Sequence, residues 1–166
     1  MPSEFSFDAV SEVDMNLVNE SIQVAMKEIG NRFDFKDANA SLELNEKEKK
    51  LTVRAKDEGR VNAAWDVLAT RIAKRGLPLK NFKRADKIEQ ALGQTARLEI
   101  AVQAGIPTDK AKEMVAVIKQ QKLKVNASIQ SEQLRVASKS KDELQAAMQL
   151  LRQGNWGVDL QFKNFR

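Results

Sequence analysis

The hexapeptide LTVRAK at residues 51–56 returns, with three changes, as LRVASK at 134–139. In the first copy Leu51, Val53 and Ala55 alternate with polar residues, as do Leu134 and Val136 in the second, which is the period of a strand with one covered face. Three more fragments recur in the same order: NAS at 39–41 and 126–128, KDE at 56–58 and 141–143, KNFK at 80–83 and KNFR at 163–166. A single triplet recurs by chance; four in sequence predict an internal repeat.

Each hexapeptide reads as the second strand of a hairpin. Ala40, Leu42 and Leu44 alternate before the charged turn NEKEKK, and Ala127 and Ile129 precede Leu134 and Val136 in the same way. Further strands are expected at Phe5 to Val10, at Leu98, Ile100 and Val102, and at Val158, Leu160 and Phe162. Between them the apolar period lengthens to three and four. The stripes are Val18, Ile22, Met26, Ile29 (Asp14 to Gly30); Val61, Trp65, Leu68, Ile72 (Asp57 to Gly76); Ala111, Met114, Val115, Ile118 (Pro107 to about Lys122); and Leu144, Ala147, Met148, Leu151 (Ser140 to Gly154). Asp14 and Asp57 suit N-caps, Pro107 suits a first turn, Ser140 to Glu143 spells a capping box, and Gly30, Gly76 and Gly154 stand where helices should stop. Residues 80–95 are irregular and polar and read as a linker.

Each half then runs strand, helix, strand, strand, helix, strand, the ferredoxin-like or split βαβ order, with helices on one face of an antiparallel sheet and the other face free. Within that frame RFDFK at 32–36 reads as a strand, with Phe33 and Phe35 beneath the helices and Arg32, Asp34 and Lys36 on the uncovered face or its rim. At the C-terminus Leu160 and Phe162 face the helices while Gln161, Lys163 and Phe165 face out. A ring beside a lysine on an open sheet is what stacking on a base and neutralising a phosphate require. The plain reading of the same residues is a core for the phenylalanines and a solvated face for the lysines of KQQKLK and KSK.

Composition narrows the chemistry. The 166 residues contain no cysteine and no histidine, which excludes disulfides, thiolate metal sites and every nucleophile that relies on an imidazole base. No tight carboxylate group of the DxD or ExxE kind stands outside helix faces and caps, so no metal is expected. No apolar run approaches the roughly 20 residues of a membrane span, and MPSEFSFD lacks the features of a signal peptide, so a cytoplasmic protein is expected. Residues 1–92 carry 16 Lys+Arg and 16 Asp+Glu, residues 93–166 carry 12 and 7, so the net charge of +5 falls in the second half. A basic half attracts phosphate-bearing ligands.

SFDAVSEVD at 6–14, RFDFK at 32–36, LKVNASIQ at 123–130, LRVASKSKDELQ at 134–145 and LQFKNFR at 160–166 together resemble the YajQ family of small bacterial cytoplasmic proteins. The resemblance implies two ferredoxin-like domains, 12–104 and 105–166, that exchange first strands, so that residues 4–11 complete the second sheet and residues near 96–104 the first. It also implies a nucleotide-binding protein without catalytic activity, whose ligand is a purine nucleotide, cyclic di-GMP or RNA, with phosphates held by lysines and arginines on open sheet faces or in a groove between the domains. The candidate binding residues are Arg32, Asp34, Lys36, Lys124, Gln130, Lys139, Lys163, Asn164, Phe165 and Arg166. Arg166 or Phe165 would stack, the lysines and Arg32 would pair with phosphate, and Asp34 would accept from a guanine edge or orient Arg32. No cofactor is expected, and no Gly-rich phosphate loop is present. Three readings compete. An RNA-binding module would lack the aromatic pattern of an RRM and bind through the backbone. An acylphosphatase-like hydrolase or nucleotide kinase would lack its phosphate loop or its phosphoacceptor histidine, and a protein scaffold has little for or against it.

Overall fold

The apolar stripes of the helices need a sheet to lie on, and the computed structural model supplies two. It describes residues 4–91, 93 and 95–166. Along the chain these form β1 (Phe5–Val10), α1 (Met15–Asn31), β2 (Ser41–Asn45), β3 (Lys50–Ala55), α2 (Glu58–Lys74), β4 (Phe82–Arg84), β5 (Glu89–Ala91), β6 (Thr95–Val102), α3 (Thr108–Gln120), β7 (Asn126–Gln130), β8 (Gln133–Ser138), α4 (Lys141–Gln153) and β9 (Gln161–Lys163). The fold is α+β, with antiparallel sheets that carry helices on one face, as in two ferredoxin-like domains. No helix among the described residues is long and apolar enough to cross a membrane.

The chain divides into two compact units, Val13–Gln103 and Met1–Glu12 with Ala104–Arg166. In the first, the sheet order is β2-β3-β6-β4, with β5 also paired to β6. Leu51, Val53, Leu98 and Ile100 are fully buried against Val18, Ala25, Leu68 and Ile72 of α1 and α2. In the second, the order is β7-β8-β1-β9. Phe7 and Ala9 of β1 lie with Leu134 and Val136 of β8 under Met114, Ala147 and Leu151 of α3 and α4. β8 and β9 flank β1 and both run antiparallel to it; β3 and β4 flank β6 in the same manner. In each unit a strand-helix-strand crossover therefore leaves a slot between its strands, and a strand from elsewhere in the chain fills it.

The helix starts follow from side-chain chemistry. Asp14 accepts from Asn16 N and Leu17 N at 2.9 and 3.4 Å, Asp57 accepts from Arg60 N at 2.8 Å, and Ser140 Oγ accepts from Glu143 N at 3.3 Å. The capping box at Ser140 is only half made, because the Glu143 carboxylate accepts from Lys124 N at 3.3 Å and Ser140 N donates to Ser138 Oγ. Gly76 ends α2 with φ +77, which only glycine adopts freely, but α1 runs past Gly30 to Asn31.

Three expectations fail. Residues 80–95 are not a linker: Leu79–Asn81 is a 3₁₀ turn, β4 and β5 follow, and the buried Asn81 side chain donates to Gln103 O at 2.7 Å. Leu92 and Gln94 of that stretch lie outside the described residues. The last strand shortens to Gln161–Lys163. Most consequential, RFDFK is not a strand. Arg32 is extended and Phe33–Phe35 is a 3₁₀ turn, closed by Phe35 N to Arg32 O at 3.2 Å and Lys36 N to Phe33 O at 3.0 Å.

Candidate functional site

In a 3₁₀ turn of three residues per turn, positions two apart point in different directions, unlike positions two apart in a strand. Phe35 accordingly packs into the core at 6% exposure, while Phe33 projects with 87% of its surface in solvent. Arg32 lies between these fates. Its guanidinium stands 5.1 Å over the Phe35 ring, and its Nε and Nη2 donate to the two carboxylate oxygens of Asp34 at 3.0 and 2.7 Å. That fork holds the Asp34 carboxyl below its ordinary range and raises Arg32. Asp37 and Asn39 take left-handed φ values of 61° and 52°, which their side chains tolerate, and turn the chain back toward Ala38 O, the acceptor of Lys56 N. The result is a cleft of about 530 Å³ whose lining includes Arg32, Phe33, Lys36 and Asn39, within the range of small-ligand sites. Arg32 and Lys36 thus line one cleft, with Asp34 bonded to Arg32, on a turn and not on a sheet face. Phe33, read from sequence as core, joins them.

The other candidates belong to the second unit and fall into separate groups. Lys124 and Lys139 share a cleft of about 340 Å³ with Asn126, Ser138 and Ser140, and neither lysine makes an ion pair among the described residues. Gln130 ends β7 opposite Gln133 and is exposed. At the C-terminus the ladder slips. Lys163 pairs in register with Asp8, yet Arg166, not Phe165, exchanges both backbone hydrogen bonds with Ser6, at 3.2 and 3.1 Å. One extra residue is accommodated where Asn164 takes φ 56°, a β-bulge. The bulge corrects the expected alternation: Phe165 turns toward the helix side, its ring 6.4 Å from that of Phe7, and stays 59% exposed. It does not stand beside Lys163 on the free face.

That free face carries a group absent from the sequence reading. Asp8 points away from the helices, yet only 2% of it is exposed. Arg135, directly opposite on β8, donates from Nε to Oδ1 at 2.9 Å, and Asn164 Nδ2 donates to Oδ2 at 2.7 Å. The Arg135 hydrogen bond, then that from Asn164 and the nearby charges of Arg135 and Arg166, hold the Asp8 carboxyl below its usual value against the opposing effect of burial. Lys163 is paired with Glu12. An aspartate inside a strand between Phe7 and Ala9 is disfavoured, and that was the available signal.

Charge is distributed differently from the reading by halves. The unit of 1–12 with 104–166 carries 11 Lys+Arg and 9 Asp+Glu, and 13–103 carries 17 and 14. The excess is shared, because the first strand brings Glu4, Asp8 and Glu12 to the basic half. On the free face of the first unit's sheet the cations are spent on neighbours: Arg54 on Glu43 at 2.8 Å, Lys50 on Glu99 at 3.5 Å, and Arg97 on Glu89. Among the described residues no three carboxylates converge as a metal would require.

Two helix-covered antiparallel sheets, with an exposed ring on one unit and carboxylate-bound arginines on both, define a small two-unit α+β protein. The comparison with known families agrees with the class: residues 5–166 match the family described as nucleotide-binding protein YajQ-like, and the chain belongs to it. Among curated relatives, a protein of Elusimicrobium minutum called nucleotide-binding protein is 56% identical over 164 residues, 99% of each chain. One of the same name from Carboxydothermus hydrogenoformans is 48% identical over the full length of both, and one from Solibacter usitatus is 43% identical over 97% of this chain and 96% of its own.

Proposed function

We propose that this chain binds a purine nucleotide or cyclic di-GMP without transforming it, and that the ligand occupies the cleft at residues 32–39. The observation that carries this reading is Phe33, a ring 87% exposed at a cleft where Arg32 is already fixed by Phe35 and Asp34. An exposed ring next to a cation offers a base a stacking surface worth about 1–3 kcal/mol. Lys36 and the outer edge of Arg32 supply charge for phosphate, and Asp34, both of whose oxygens accept from Arg32, orients that guanidinium. The family name and the relatives' names support nucleotide as the ligand class. A non-catalytic role is supported by the lack of any imidazole or thiol in the chain, which removes the commonest general base and nucleophile.

Titration calorimetry with ATP, GTP and cyclic di-GMP at low and moderate salt tests the proposal. Binding by the wild type that drops at least tenfold in Phe33→Ala is the expected result. Wild-type heat unchanged in Phe33→Ala removes the cleft from the reading. No heat with any mononucleotide, together with retention of tRNA on a filter and a steep salt dependence, replaces it with RNA binding.

A further inference from the structure

We propose that the outer edge of β7 pairs, antiparallel, with the same edge of a second copy of this chain, joining two four-stranded sheets into one. The edge belongs to the unit that lacks the Phe33 cleft, and the proposal does not rest on nucleotide binding. β7 ends the order β7-β8-β1-β9, so one side of its backbone has no strand beside it. Ser6 exchanges both backbone hydrogen bonds with Arg166, on the β9 side of β1; Phe7 therefore directs its own toward Val136, and Arg135, one step on, bonds Ser128. By the same alternation Ala127 and Ile129 point their N–H and C=O groups outward, and these groups make no bond among the described residues.

Native sheets ordinarily blunt such an edge with charge, proline or a covering element. The equivalent edge of the first unit is β2, where Leu42 and Leu44 stand opposite Val53 and Leu51 as Ala127 and Ile129 stand opposite Val136 and Leu134. There Leu42 is buried, Glu43 puts a charge between the two leucines, and the helix that packs on the strand, α1, has 17 residues. In the second unit α3 has 13 residues, NASIQ carries neither charge nor proline, and Ile129 is 38% exposed. The protection given to one edge is missing from the other.

The ends of the strand identify the occupant. Lys124 precedes β7 and Glu132 follows it in the turn to β8; both are exposed, and neither makes an ion pair among the described residues. With a twofold axis at Ser128, Ala127 of each copy faces Ile129 of the other, which satisfies the outward backbone groups of both, and the same count carries Lys124 of each copy to Glu132 of the other. A shift of two residues sets Lys124 against Gln130 or past the turn, so charge selects this register. Both ends are fixed beforehand: Lys124 N donates to Glu143 Oε2 at 3.3 Å, Lys124 O accepts from Ser138 Oγ at 2.7 Å, and Glu132 O accepts from Ile106 N at 2.9 Å. A strand held in this way loses little entropy on pairing. The contact is small, so association is weak and depends on concentration.

Sedimentation velocity of the full chain, from about 10 µM to about 1 mM, tests the proposal. The wild type passes from monomer to dimer over that range and forms nothing larger, because the pairing is isologous and closes on itself. Ala127→Pro removes an outward N–H that the β7–β8 ladder does not use, and weakens the dimer at least tenfold. Lys124→Glu and Glu132→Lys each weaken it threefold or more, and the two together restore association to within about twofold of the wild type. Amide exchange at Ala127 and Ile129 slows as concentration rises, while that at Leu42 and Leu44 does not. A wild type that stays monomeric throughout, a dimer indifferent to Ala127→Pro, or charge reversals without rescue in the double variant overturns the proposal. Should Ala127→Pro not fold, the charge reversals and the amide exchange decide. No nucleotide enters these measurements, so this edge and the Phe33 cleft can each fail alone.

Discussion

Phe33 and Phe35 are the same side chain two positions apart, and their surroundings assign them opposite tasks. Phe35 is a core residue, so Phe35→Ala should cost about 3–5 kcal/mol of stability through lost burial and the cavity left behind. It also removes the ring under Arg32, so binding should weaken as well. Phe33→Ala should change stability by no more than about 0.5 kcal/mol, because the ring touches little, while it abolishes stacking. Urea denaturation of the two variants, beside calorimetry with GTP, separates these outcomes; a large stability loss in Phe33→Ala would mean that the ring has a packing partner. The sequence could not separate them. FDF is compatible both with a strand and with one tight turn, and the choice depends on where α1 ends. The helix runs one residue beyond Gly30, and the short path from Asn31 to Ala38 has to reverse direction. Asp37 and Asn39, residue types that tolerate left-handed φ, take such values and make that turn.

At the scale of elements, the repeat that predicts two similar sheets is partly out of step with them. Val53 and Val136 hold equivalent places in the centre of the two hairpins, and their partners are Leu42 and Ala127. Ser41 therefore corresponds to Asn126, and the two NAS triplets are displaced by two residues. Asp57 and Ser140 are the equivalent N-caps, so the KDE triplets are displaced too. Only LTVRAK and LRVASK coincide in register. The fold was legible because apolar period, caps and turn residues act locally and recur with the design, whether or not individual letters do. The bulge was not legible, since nothing in QFKNFR distinguishes a regular strand end from a slipped one until the pairing with β1 is known. Its consequence is testable through Asp8. With its carboxyl pKa depressed in the folded state, Asp8 adds stability above the unfolded value near 3.9, and this is lost as pH falls through the lower folded value. Asp8→Asn should thus be less stable than wild type by about 1–3 kcal/mol at pH 7, and the gap should close below about pH 4. Melting curves from pH 7 to 2.5 check the sign; a gap that widens in acid contradicts it.

Across the whole molecule, the order of the strands and not the order of the sequence decides which residues share a core. β1 is hydrogen-bonded to residues more than a hundred positions later, in β8, β9 and at Arg166. It is the inner strand of that sheet, and Phe7 is fully buried, in edge contact with Phe162 at 5.5 Å between ring centres. Non-local pairing of this kind carries the full loop-closure cost before it gains any burial. The 104–166 segment should accordingly have no stable sheet without residues 5–10. Phe7→Ala should cost about 3–5 kcal/mol, and its effect should be read in the amides paired with β1. Native-state hydrogen exchange at Leu134 and Val136 should accelerate by at least tenfold, because both amides lie in the ladder with β1 and over the weakened core. Leu51 and Val53 of β3, paired with β2 and β6 instead, serve as the reference. Acceleration at β8 that exceeds the change at β3 is the expected pattern, and β8 amides that exchange as slowly as in the wild type would mean that β1 is not what holds this sheet.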